Sequence, residues 1–122
     1  MKERRNIFGN KLVACCYSPV AGYYRDGYCR TDVSDKGRHV VCAVMTEEFL
    51  SFTRSKGNDL TKAVPAYDFP GLKPGDKWCL CALRWLEAYQ NGLAPLIIPE
   101  ACAVEALKYI DKETLVKHAI QR

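Results

Sequence analysis

The chain reads as an α+β protein: a two-layer sandwich, with helices packed on one face of a mostly antiparallel sheet. Three observations carry this. His39 to Met45 is a β-rich apolar run followed at once by a capped helix signal, Thr46-Glu47-Glu48. Asp26-Gly27 between two tyrosine-containing stretches is a two-residue hairpin signal, because such turns need positive φ at their central positions. Helix and strand signals then mix without the regular alternation of a parallel sheet.

The elements follow in chain order. Residues 7–14 have the composition of a short strand near an edge. Residues 22–30 form the expected hairpin, with Arg25 opposite Tyr28, Tyr24 opposite Cys29 and Tyr23 opposite Arg30. His39 to Met45 is the central strand. Thr46 caps a first helix over 47–56, with its two glutamates against the positive end of the helix dipole and Phe49, Leu50 and Phe52 turned inward. Gly57 ends that helix. Asn58-Asp59-Leu60 then opens a long loop through Pro65, Pro70, Gly71, Pro74 and Gly75, of a length that in a compact domain is often functional. Asp76 is read as the N-cap of a second helix over 77–90, on which Trp78, Cys81, Trp85 and Tyr89 follow helical spacing. Residues 95–98 are a strand shortened by Pro99. A third helix covers about 102–109. Asp111 caps a fourth, where Ile110 and Leu115 can form a hydrophobic staple.

At 122 residues the chain fits one domain, 1–122, with a short basic arm at about 1–5. No apolar run approaches the ~20 residues of a membrane span. The charged start, Met1-Lys2-Glu3-Arg4-Arg5-Asn6, lacks the apolar stretch of a secretory leader. Seven cysteines, an odd number with Cys15 and Cys16 adjacent, do not form the even framework of a small secreted domain. The expectation is therefore a cytoplasmic protein with free thiols, most of them packing as small buried hydrophobes. The net charge of +4, with acids interleaved among the bases, argues against a nucleic-acid partner. Tyr23, Tyr24 and Tyr28 with Arg25, Arg30 and Arg38 could form a stacking surface, but the same residues serve equally as cross-strand pairs.

The densest chemistry is Trp78-Cys79-Leu80-Cys81 with Arg84-Trp85. With Asp76 as N-cap, Cys79 would be the third helical residue, where a backbone N–H and the helix dipole favour a thiolate. Filling a gap between helix and sheet is the competing reading. Cys79 and Cys81 diverge on a helix and share a face on a strand. His39, Cys42, Cys79 and Cys81 are the set that would hold zinc if a metal were present; the leading reading has no cofactor. His118 is a solvated partner of a helix end. There is no phosphate-binding glycine loop, no G-x-S-x-G and no H-E-x-x-H.

Taken together, several segments resemble a known family. They are Asn6-Ile7-Phe8-Gly9, the run from Gly22 to Gly27, the run from Gly37 to Leu50, Gly57-Asn58-Asp59-Leu60, the run from Phe69 to Cys81, and Arg84-Trp85. The sequence is similar to small, mainly bacterial proteins grouped as domain of unknown function 2237, over nearly its whole length. The resemblance implies a compact two-layer α+β domain and no established activity. It would match Cys15, Cys29, Cys42, Cys79 and Cys81, with Cys16 and Cys102 as extras. The residues it marks are Arg25, Asp26, His39, Cys42, Asn58, Asp59, Trp78, Cys79, Cys81 and Arg84.

The functional expectation is a cysteine-lined cleft that binds or acts on a small anionic ligand through Cys79. Arg25, Asp26, Asn58, Asp59, Trp78 and Arg84 would contact the ligand, and Asp59 or His39 would handle protons. A non-catalytic binding module is the alternative. Its surface would be the tyrosine–arginine segment with the long loop, and its cysteines would be structural. A structural zinc site is the third.

Overall fold

A computed structural model describes residues 4–67 and 69–120. Its centre is a pair of antiparallel strands, β1 (His39–Val44) and β2 (Lys77–Cys81). The register sets Cys42 opposite Cys79, Ala43 opposite Trp78 and Val44 opposite Lys77, with a bulge between His39 and Val41. Val40, Val41, Cys42 and Ala43 are all fully buried. Both faces of β1 are thus covered, which suits its unbroken apolar sequence.

The other edge of β1 is completed by irregular chain. The Val44 N–H donates to Leu96, the Ile98 N–H to the Cys42 carbonyl and the Ala103 N–H to the Val40 carbonyl, each at 2.9 Å. Ile97 bridges Ala43 on one side and Ala119 on the other. The expected strand at 95–98 is therefore a single bridging residue. Pro99 has no N–H to extend a ladder and starts a 3₁₀ turn, Pro99–Ala101. The class is α+β, with a two-stranded antiparallel sheet and helices.

Helix α1 (Glu47–Ser55) is the one the sequence specifies best. The Thr46 hydroxyl accepts the Phe49 N–H at 3.0 Å. Phe49 and Leu50 are buried, and Gly57 follows the helix at φ 88°.

The second helix departs from expectation. Residues 77–81 are β2, and α2 runs Ala82–Gln90. Trp78, Cys79 and Leu80 gain a paired backbone and buried side chains on β1, which local helical spacing cannot register. Asp76 caps no helix. Its carboxylate accepts the Lys73 N–H at 2.9 Å, and its own N–H donates to the Lys73 carbonyl at 3.0 Å, closing the turn that enters β2.

Three smaller corrections follow. The hairpin at 22–30 is a compact turn region in which the Arg25 N–H donates to Gly22 and the Gly27 N–H to Ala21. Residues 7–14 form no strand; Asn6 instead makes an isolated bridge to Ala103. The third helix is a 3₁₀ segment, Val104–Lys108. The last helix, α3 (Lys112–Lys117), starts after Asp111 as expected, with Ile110 and Leu115 both buried beside it. Of the arm expected at 1–5, residues 1–3 lie outside the described residues.

Candidate functional site

The cysteines contradict the free-thiol expectation in part. Cys15 is bonded to Cys42 and Cys29 to Cys79, while Cys16, Cys81 and Cys102 remain thiols. Cys79 is therefore not the dipole-activated thiol expected of it. It lies on β2, its sulfur is bonded to Cys29, and it is 1% exposed. Cys102 is buried too, and burial pushes its thiol up to about 12, even though the Cys42 N–H bonded to its sulfur acts the other way. It stays protonated and inert at neutral pH.

A cleft opens elsewhere. It has a volume of about 450 Å³ and lies between the segment around Tyr23 and Arg25, the start of β1, and the long loop. Four of the marked residues line it: Arg25, His39, Asp59 and Trp78. Tyr23, Tyr67 and Phe69 supply aromatic wall, and Leu60 and Val64 aliphatic wall. The long loop thus forms one wall of this cleft. Folding of the loop is local: the Val64 N–H donates to Phe69 at 2.8 Å, and the Leu72 N–H to Leu60 at 2.8 Å.

Arg25 sits at φ 55°, a conformation uncommon for any residue but glycine. Its guanidinium lies over the Trp78 ring, 5.0 Å from the centroid, and also donates to the Gly22 carbonyl at 3.2 Å. A cation placed on an indole face is restrained without being neutralised. Trp78 itself is buried against Phe69, with ring centroids 5.1 Å apart.

His39 is oriented by Asp35. Its Nδ1 lies 2.7 Å from the Asp35 carboxylate, which also accepts the His39 backbone N–H at 2.9 Å and the Thr31 hydroxyl at 3.0 Å. Asp35 is fully buried. Burial alone would raise its carboxyl, but the hydrogen bonds from the His39 backbone and ring, the His39 charge and the Thr31 hydroxyl hold it below the usual aspartate range. Tyr23 stacks on the imidazole at 6.1 Å between centroids. Gly37 leaves room for the ring, since a Cβ there would stand 2.6 Å from His39 Cε1. A carboxylate on Nδ1 fixes the ring and leaves Nε2 as its other polar atom.

Because the folded-state pKa of Asp35 is depressed, its contribution is present above the unfolded value and is lost as pH falls through the folded one. Asp35→Ala is expected to cost about 1–2 kcal/mol at pH 7, since it removes the acceptor of part-buried donors on His39 and Thr31. The gap from wild type should narrow below about pH 4. Urea melts of both proteins at pH 7 and pH 3 check this; an equal gap at both would remove the carboxylate from the account.

The other marked residues have structural partners. Asp26 accepts from Arg30 Nε at 2.7 Å and from the Tyr28 N–H at 3.1 Å. Burial works to raise its carboxyl, and these hydrogen bonds together with the Arg30 charge bring it below the usual value. Asn58 donates to the Thr53 hydroxyl at 3.1 Å behind α1. Arg84 reaches the Lys56 carbonyl at 3.2 Å and Glu87 at 3.3 Å, tying α2 to the end of α1. None of the three lines the cleft. Asp59 does, and its carboxylate accepts from the Thr61 hydroxyl at 2.6 Å and the Thr61 N–H at 3.0 Å.

The metal set expected from sequence does not gather either. The one group of candidate ligands that lies together among the described residues is Cys15, Cys29 and Cys79. His118 is half-buried, packing edge-on against Trp85 and Tyr89 at 5.1 and 5.4 Å. Sequence reading missed Asp35 as the partner of His39, although the Asp35-Lys36-Gly37-Arg38-His39 spacing, a turn with a small central residue, is the signal that fits it. Among the described residues, no helix is long and apolar enough to cross a membrane.

No curated protein matches the chain. A family model matches residues 5–119. With that span covering nearly all of the fold and every residue of the cleft, the chain belongs to the family described as an uncharacterized protein conserved in bacteria, domain of unknown function 2237.

Proposed function

We propose that the protein binds a small anionic ligand with an apolar body in the cleft between the Tyr23–Arg25 segment and the long loop. The observation that carries this reading is the placement of Arg25 and the Asp35-held His39 on one aromatic-walled cleft. Arg25 anchors a carboxylate or phosphate oxygen, which a guanidinium does well because its donors form a planar fork. Tyr23, Tyr67 and Trp78 cover the apolar part. Nε2 of His39 offers a hydrogen bond or accepts a proton beside the anchored group. Asp59 at the same cleft adds an acceptor for a ligand donor. This is the surface of a binding module rather than of a cysteine-lined cleft. Its wall contains no sulfur, and the disulfides join the N-terminal segment to the sheet.

Trp78 makes binding visible. Titration with a panel of small aromatic and aliphatic carboxylates and phosphate esters is expected to change its emission, while Trp85, fully buried outside the cleft, reports little. Arg25→Met should weaken the best ligand about 10-fold to 100-fold, the range of a charge-assisted hydrogen bond. His39→Gln should weaken it less. If no member of either class perturbs the cleft, or if Arg25→Met binds as tightly as wild type, this reading is wrong.

A further inference from the structure

Four buried cysteines are joined by the two disulfides in the core. Cys42 and Cys79 face each other across β1 and β2. Cys15 and Cys29 come from the N-terminal segment, whose backbone is clamped where the Cys15 N–H donates to Gly27 at 2.7 Å and the Ala21 N–H to Cys16 at 3.0 Å. The sulfurs of Cys15, Cys29 and Cys79 all lie within 4.8 Å of one another, and Cys42 is bonded to Cys15. Three of the four disulfide sulfurs thus form one group, with the fourth, on Cys42, bonded to one of its members; two of the four cysteines are carried by the sheet and two by the clamped N-terminal segment. None of the four cysteines is more than 5% exposed.

We propose that, when both disulfides are reduced, Cys15, Cys29, Cys42 and Cys79 bind one zinc ion as a tetrathiolate site. The chemistry of the donors selects a soft, tetrahedral ion. With Zn–S bonds of about 2.3 Å, ideal tetrahedral S···S edges are about 3.8 Å. The sulfurs of Cys15, Cys29 and Cys79, already within 4.8 Å of one another, need only side-chain adjustment to reach that spacing, and Cys42, released from Cys15 and carried opposite Cys79 on β1, turns in as the fourth ligand. Each disulfide takes two electrons and two protons from one equivalent of a small dithiol, which closes to its own disulfide. Two equivalents give four thiols. Zn²⁺ then displaces four protons to form the tetrathiolate complex. Zinc changes no oxidation state, and reoxidation of the sulfurs to two disulfides returns four electrons to an oxidant such as a disulfide and expels the ion. The same four side chains therefore close the core in two ways, covalently when oxidised and through a metal when reduced. Structural metal sites of this kind contribute directly to folding.

The test uses the full chain. Wild-type protein is reduced with excess dithiol without air, freed of reductant, and titrated with Zn²⁺ against a chromophoric chelator, with Co²⁺ as an optical probe of the ligand set. The expected result is one zinc per reduced chain, none per oxidised chain, and a Co²⁺ spectrum of tetrahedral thiolate coordination. Cys16→Ser/Cys81→Ser/Cys102→Ala should keep that site, and Cys29→Ser/Cys79→Ser should lose it. If reduced apoprotein unfolds, the readout becomes recovery of far-UV circular dichroism on adding Zn²⁺. Reduced protein that neither takes zinc nor refolds with it overturns the proposal. So does zinc uptake that survives in Cys29→Ser/Cys79→Ser. Ligand titration at the cleft, done on the oxidised chain, is unaffected by either outcome.

Discussion

Replacing the Cys29–Cys79 pair with alanines is expected to lower the unfolding free energy of the oxidised protein by about 4 kcal/mol. The bond joins residues 50 apart in sequence. In the chain-entropy account, closing a loop of that size restricts the unfolded ensemble by roughly that amount. The Cys15–Cys42 bond spans 27 residues, and its removal is expected to cost slightly less, about 3.5 kcal/mol on the same relation. The loops overlap, so the double deletion should cost less than the sum. Both bonds connect the irregular N-terminal segment to the sheet, and that segment has few regular elements of its own to hold it. Urea melts of wild type and the two double-alanine variants, with non-reducing peptide maps to verify the pairings, check the point. Equal midpoints for oxidised wild type and Cys29→Ala/Cys79→Ala would show that the pair does not constrain the fold.

Trp85→Ala is expected to cost about 3–5 kcal/mol, the range for deleting a large buried aromatic side chain. Trp85 has no exposed surface. It stacks on Tyr89 at 5.7 Å, meets His118 edge-on at 5.1 Å, and its indole N–H donates to the Pro95 carbonyl at 3.0 Å. Three segments therefore share one side chain: α2, the 95–98 bridge and the end of α3. Truncation leaves a cavity and an unpaired carbonyl, and surrounding groups can collapse only partly. Trp85→Phe should recover most of the packing and lose the hydrogen bond, costing about 1–2 kcal/mol. Thermal and urea melts separate the two variants. A Trp85→Ala protein within about 1 kcal/mol of wild type would mean that the three segments are held by other contacts.

Within the first half of the fold, β1 and α1 were legible in sequence, while the strand at 7–14 and the hairpin at 22–30 were not. The apolar run at β1 and the Thr46 cap are local signals, and the structure obeys them because no distant contact opposes them. Trp78, Cys81, Trp85 and Tyr89 gave a false helical period. Their spacing is real, but pairing of 77–81 with β1 outweighs it. That single misreading carried the case for a reactive Cys79. Of the marked residues, Arg25, His39, Asp59 and Trp78 did converge on one cleft. Asp26, Asn58 and Arg84 instead stabilise turns and helix ends.

By itself, then, the sequence determined the α+β class, β1 and α1, and the family. Those are written in local periodicity, capping and contiguous motifs. Only the tertiary structure decided which cysteines pair, that Asp35 holds His39, and that Arg25 lies on Trp78. Each of these joins groups through space, and a pairing through space depends on how β1, β2 and the N-terminal segment pack, which no local pattern along the chain encodes.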